Sequence, residues 1–96
     1  MKKETFYKYC CVNGEKKAQA ASGYKYINGG YTFFIDNSGY TWGITEATTG
    51  LRVTAKAYNK LREAVNALPE IVITLNKFPD LMKEHAAEFS KVLNQK

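Results

Sequence analysis

A chain of 96 residues holds one domain, and a second independent core does not fit in it. A hydrophobic fraction of 45% with 14% aromatics excludes a disordered chain and makes a folding metal unnecessary as a premise. The formal charge of +5 is basic without being extreme, so its placement matters more than its sum. Residues 1–30 carry six lysines against Glu4 and Glu15, residues 31–50 carry only Asp36 and Glu46, and residues 51–96 carry eight basic and five acidic groups. A basic N-terminal third attracts nucleic acid or an acidic protein surface, and equally serves as ordinary solubilising charge.

The opening "MKKETFYKYCC" has lysines with no apolar segment after them, so no secretory signal is expected in it. No run approaches the roughly 20 apolar residues that span a bilayer, so a cytoplasmic location is expected. Thr5 to Val12, "TFYKYCCV", is aromatic and β-favouring and reads as a strand. Within it Cys10 and Cys11 point to opposite faces, which disfavours a disulfide between them. With a single histidine they supply no tetrahedral zinc site, and they read as small buried or half-buried groups in a reducing compartment.

Asn13-Gly14 is a type I′ hairpin signal. The return run 15–22, "EKKAQAAS", fits an edge strand or a short helix equally, and Gly23 reads as its end. "YKYI" leads to Asn28-Gly29-Gly30, a second hairpin signal, and Tyr31 to Asp36, "YTFFID", is the clearest strand. Asp36-Asn37-Ser38-Gly39 has type I turn chemistry. Tyr40 to Thr45 returns, and Leu51 to Val53 can add a short final strand. Alternation puts Tyr31, Phe33 and Ile35 on one face with Tyr40, Trp42, Ile44, Leu51 and Val53, the core side. Thr32, Phe34, Thr41, Thr45, Arg52 and Thr54 fall on the other.

An apolar sheet face needs a cover, since apolar area left in water forfeits about 25 cal/mol per Å². Asn59 is a suitable N-cap for "KLREAVNAL", in which Leu61, Ala64, Val65 and Leu68 share one helical face. Pro69 ends that helix or starts the next. Residues 70–76 are β-branched, yet Ile71, Leu75 and Phe78 have helical spacing, and the reading leans to helix. From Pro79 and Asp80 onward, Leu81, Met82, His85, Ala86, Phe89, Val92 and Leu93 form one apolar stripe of a surface helix. The expected architecture is therefore α+β in a single domain, 1–96. An antiparallel β-meander of four to six short strands, 1–54, packs against two or three C-terminal helices, 55–96.

No catalytic constellation can be assembled. His85 is the only histidine and lies on an apolar helical face, the acids are single and scattered, and the serines have no histidine–acid partner. The glycines sit in hairpin turns, with no strand–glycine loop–helix unit to cradle a phosphate. The reading is a non-enzymatic protein with no cofactor and no metal.

Two features can carry binding. "YKY" occurs twice, as Tyr7-Lys8-Tyr9 and Tyr24-Lys25-Tyr26. If these segments are neighbours, four phenol rings tile one surface for base stacking, with Lys16 and Lys17 near the phosphates. The same tyrosines can simply cover a half-buried sheet. The second feature is the threonine side, with Phe34, Thr41, Thr45, Arg52 and Thr54 as partner-binding candidates. A sheet with one face on a helix can lay the other in a major groove or on a protein.

Residues 40–68, "YTWGITEATTGLRVTAKAYNKLREAVNAL", resemble a pattern of small accessory proteins of phages and conjugative elements of Gram-positive bacteria. That pattern is a tryptophan strand, a threonine–glycine turn, a short strand, then a helix with a Glu-Ala pair. Trp42, Thr49, Gly50, Leu51, Glu63 and Ala64 carry it. The stretch is also similar to the sheet-then-helix amino-terminal domains of tyrosine recombinases, which bind arm-site DNA through the sheet. It departs from them in having Asn59-Lys60 at the helix start and in its low density of arginine and lysine. The resemblance covers under a third of the chain and implies a mobile-element origin. It implies an origin more than an activity. The expected function is docking on a larger protein partner, a class that includes inhibitors of host defence of the anti-CRISPR type. The reasons are that the charge excess is moderate, the acids of the middle strands repel phosphate and aromatic edge residues serve as interface anchors. The alternative is a small DNA- or RNA-binding domain using the sheet face and the basic N-terminal third, and a homo-oligomer is compatible with either.

Overall fold

The computed structural model describes residues 2–54 and 56–94; residue 55, where the expected helical half begins, and the chain ends 1, 95 and 96 lie outside the described residues. Four antiparallel strands come first, β1 (Glu4–Val12), β2 (Glu15–Asn28), β3 (Tyr31–Ser38) and β4 (Thr41–Glu46), in the order β1-β2-β3-β4. Two helices follow, α1 (Leu61–Leu75) and α2 (Pro79–Asn94). The architecture is α+β, a meander and then helices.

Residues 15–22 are strand, and Gly23 does not end it. The lysines and alanines are held extended by nine cross-strand pairs to the aromatic β1, from Glu4↔Gly23 to Val12↔Glu15. At Gly23 β2 changes partner, and from Tyr24↔Ile35 to Asn28↔Tyr31 it pairs with β3. A Cβ on Gly23 would sit 2.8 Å from the Ile35 carbonyl oxygen and 3.0 Å from the Phe6 ring. Glycine is therefore required there by close backbone approach, not by chain termination.

The β3–β4 turn also differs from expectation. Its closing pair is Ser38↔Thr41, and Gly39 at φ +80° occupies the first central position, the type II′ arrangement that matches strand twist. Tyr40 is then the second turn residue and is 96% exposed, not part of the core side. Trp42 is half-buried, and Ile44 is fully buried.

α1 covers the expected face. Phe33, Ile35, Ile44, Tyr58, Ala64, Leu68, Ile71 and Val72 form one buried cluster. The helix runs through Pro69 without a break. Proline removes one helical hydrogen bond and costs about 3 kcal/mol in a helix interior. Here it lies on the solvent side, while Leu68, Ile71 and Val72 on either side of it are buried against the sheet. Asn59 is not the cap: the N-cap is Lys60, extended and without a side-chain bond. The helix start is fixed instead by reciprocal backbone bonds between Tyr58 and Trp42, 2.7 and 3.1 Å. In α2, Phe89 and Val92 are buried, whereas Leu81, a member of the expected apolar stripe, is exposed. Phe78, which helical spacing joins to Ile71 and Leu75, lies beyond the end of α1 and is exposed too.

The other face of the sheet is not open. The bend at Gly23 carries β1 across it, so that Phe6 stacks on Phe34 with centroids 4.7 Å apart and rings nearly parallel. Beside them the Lys8 ammonium meets the Asp36 carboxylate at 2.6 Å. The Tyr9 N–H, on the outer edge of β1, donates to the Gly50 carbonyl at 2.8 Å, curling the sheet toward closure. Gly50 belongs to the turn after β4, where the Glu46 carboxylate, fully buried, accepts from the Thr48 N–H, the Thr48 hydroxyl and the Thr49 N–H at 2.9, 2.7 and 3.0 Å. The segment after the turn pairs back on β4, with Leu51 and Val53 bonded to Glu46 and Ile44.

Gly50 has φ +66°, and a Cβ there would lie 2.5 Å from the Phe89 ring. Gly50→Ala should therefore lower stability by about 2–4 kcal/mol, from left-handed strain plus overpacking. Gly30 is also left-handed, φ +85°, but faces open space. Gly30→Ala should cost only about 1–2 kcal/mol. Urea denaturation measures both, and equal losses would show that Phe89 does not set the cost.

Candidate functional site

The threonine side divides into two places. Thr45 is buried, directly opposite Phe34 in the β3–β4 ladder, and Phe34 is half-covered by Phe6. Thr41, Thr45 and Arg52 line a cavity of about 180 Å³ with Lys8, Tyr9 and Asp36. Arg52 is exposed at its rim, with the guanidinium carbon 3.5 Å from where a Cβ on Gly43 would stand, and it donates to the Lys56 carbonyl at 3.3 Å. Thr54 lies apart. Its hydroxyl accepts the Lys56 N–H at 3.1 Å, and it lines a separate groove with Tyr58, Asn66 and Glu70 along α1. An open five-residue docking face is not what forms, because β1 crosses it; parity assigns a side but does not reveal what covers that side.

The tyrosines do not make one platform. Their register puts Tyr7 and Tyr9 opposite Ala20 and Ala18, and Tyr24 and Tyr26 opposite Ile35 and Phe33. Tyr26 packs against the α1 core, and Tyr24 leans on Trp42, centroids 6.2 Å apart. Tyr9 lies against Phe89 of α2, 6.0 Å between rings, and donates its hydroxyl to Glu88 at 2.9 Å. Of the lysines near them, Lys8 is held by Asp36 and Lys16 by Glu88, while Lys17 stands 3.6 Å from Glu15 in an exposed pair worth little. Lys25 is exposed.

The Tyr9–Glu88–Lys16 triad is where α2 meets the hairpin. The bond from Lys16, then that from Tyr9, holds the Glu88 carboxyl below the usual glutamate value. The same carboxylate raises Lys16 above the ordinary lysine value, and partial burial followed by Glu88 raises Tyr9.

Cys10 is half-buried, its thiol 3.2 Å from the Gln19 amide oxygen, and Cys11 is exposed rather than buried. Among the described residues no group of three or more histidine, cysteine or acidic side chains converges to hold a metal. No helix among them is long and apolar enough to cross a membrane.

The site that sequence reasoning missed is the corner between the helices. Ile73 is 60%, Phe78 52% and Leu81 49% exposed, three large apolar side chains within nine residues. The corner is held by bonds from the Phe78 N–H to the Leu75 carbonyl and from the Met82 N–H to the Phe78 carbonyl, 3.1 and 3.0 Å. The Tyr31 hydroxyl ties it to the sheet through Asn76 at 2.7 Å. Helical spacing continues the first helix to Phe78 and puts Leu81 on an apolar stripe; the signal that could have separated them is the Asn76-Lys77 pair, which forms the turn between the two helices.

Comparison with protein-family models, curated proteins and solved structures returned no match to this chain.

Because the Glu88 pKa is depressed, its contribution to stability is present above the unfolded-state pKa and is lost as pH falls through the folded-state value. Lys16→Ala should therefore move the Glu88 titration midpoint upward in a carbon-detected NMR titration. An unmoved midpoint would mean that the lysine does not hold this carboxylate in solution.

Proposed function

We propose that this protein is a non-enzymatic docking module that binds a larger protein through the α1–α2 corner. The observation that carries the reading is the trio Ile73, Phe78 and Leu81, exposed on a corner fixed by backbone bonds and by the Tyr31–Asn76 contact. Large apolar side chains exposed close together in the chain on a rigid element are a feature of protein-interaction sites, because burying them against a partner removes them from water. The nucleic-acid reading has less support: Tyr9 and Tyr26 are packed under helices, and Lys8 and Lys16 are matched by carboxylates. The likeness of residues 40–68 to accessory proteins of phages and conjugative elements supports a mobile-element origin. A module of that origin acts by covering a working surface of its target, which is how inhibitors of host defence of the anti-CRISPR type act. Such a role requires shape and apolar area and no chemistry of its own.

The triple variant Ile73→Ser, Phe78→Ser, Leu81→Ser should fold, since these side chains face solvent. It should weaken a stoichiometric partner recovered with the wild type by roughly a hundredfold in Kd, about 3 kcal/mol. Isothermal titration with that partner, with circular dichroism to confirm folding, measures this. Retained affinity would remove the corner from the interface. Micromolar binding of random oligonucleotides that falls steeply with salt would replace the reading with the nucleic-acid one.

A further inference from the structure

Ladder parity shows which backbone groups of β2 lack a partner. Tyr9 turns its N–H away from β2 toward Gly50, so the odd residues of β1 face outward. The even ones, among them Phe6, Lys8 and Cys10, exchange bonds with Ala21, Gln19 and Lys17. In β2 the odd residues up to Gly23 therefore serve β1, while Lys16, Ala18, Ala20 and Ser22 aim N–H and C=O at the opposite edge. From Tyr24 onward β3 occupies that edge. From Lys16 to Ser22, among the described residues, no backbone hydrogen bond reaches it. Lys16, Ala20 and Ser22 are exposed, and Ala18 is half-buried.

We propose that this edge accepts an extended acidic segment of a protein partner as an added β-strand. The open N–H and C=O groups give such a strand its hydrogen bonds irrespective of its side chains. Small side chains at Ala18, Ala20, Ala21 and Ser22 leave room for a backbone to approach. The selection is by charge: residues 16–25 hold Lys16, Lys17 and Lys25 and no acid, and Lys91 of α2 lies beside the same stretch. These cations outnumber Glu88 and Glu15, which engage Lys16 and Lys17 in exposed pairs worth little. The same lysines disfavour a second copy of this chain, because edge-to-edge pairing would gather the lysines of two chains, each of net charge +5, on one ribbon. The surface is separate from the helical corner, since Ile73, Phe78 and Leu81 take no part in it.

The probe is a capped heptapeptide of alternating glutamate and valine, with two controls: its lysine–valine counterpart, and the glutamate peptide N-methylated at alternate residues. The glutamate peptide should slow amide hydrogen exchange at Lys16, Ala18, Ala20 and Ser22 by about tenfold or more, and neither control should. Ala20→Pro should abolish the effect while leaving the β1–β2 hairpin paired, because the Ala20 N–H points away from β1. If that variant does not fold, the N-methylated peptide decides. The triple serine variant of the corner should respond to the glutamate peptide as the wild type does, so the two surfaces fail or stand separately. Equal protection by the N-methylated peptide would overturn the proposal, as would protection confined to other strands or a concentration-dependent dimer that protects the same four amides without peptide.

Discussion

The rest of the structure depends on the buried carboxylate of Glu46. A charged group withdrawn from water is tolerated only when its hydrogen bonds are replaced, and here three donors from Thr48 and Thr49 replace them. Satisfying that carboxylate wraps the chain into a turn ending at Gly50, whose own N–H returns to the Glu46 carbonyl at 2.9 Å. Gly50 is then in place for two unrelated contacts. Its carbonyl takes the N–H of Tyr9 on β1, and its bare Cα admits the Phe89 ring of α2. One turn thus joins the last strand, the first strand and the last helix.

That junction determines which surfaces remain for function. With α1 on one face and β1 across the other, β3 and β4 have no broad free side among the described residues. Their polar residues are drawn into a small cleft beside the Lys8–Asp36 pair. What remains available is peripheral: the corner where α1 passes into α2, and the stretch of β2 that β3 leaves uncovered. Both consist of groups that the fold does not use, apolar side chains in one case and backbone donors and acceptors in the other. A small domain with such surfaces is suited to binding by shape.

Local chemistry was readable wherever it was self-contained. Asn13-Gly14 both have positive φ, as a type I′ turn requires, and the inward positions of β3 and of the first half of α1 follow their periodicity. It failed where a residue's role depends on a distant partner. Gly23 looked like a terminator because its reason, the Ile35 carbonyl beside it, lies twelve residues away. Pro69 reads as the end of one helix or the start of the next from its own chemistry, yet the helix continues because burial on both sides of it outweighs the lost bond. Glu46 counts in the sequence only as one of the two acids of residues 31–50, although its carboxylate is spent inside the turn.

The sequence by itself determined the class of fold, the strand alternation, the hairpins and the amphipathic faces, because these arise from spacings of a few residues and from backbone preferences at glycine and asparagine. Tertiary structure alone decided that β2 bends rather than ends, that β1 covers the threonine side, and that Phe78 and Leu81 face solvent. Each of those outcomes depends on groups far apart in the chain competing for the same space, and periodicity carries no record of that competition.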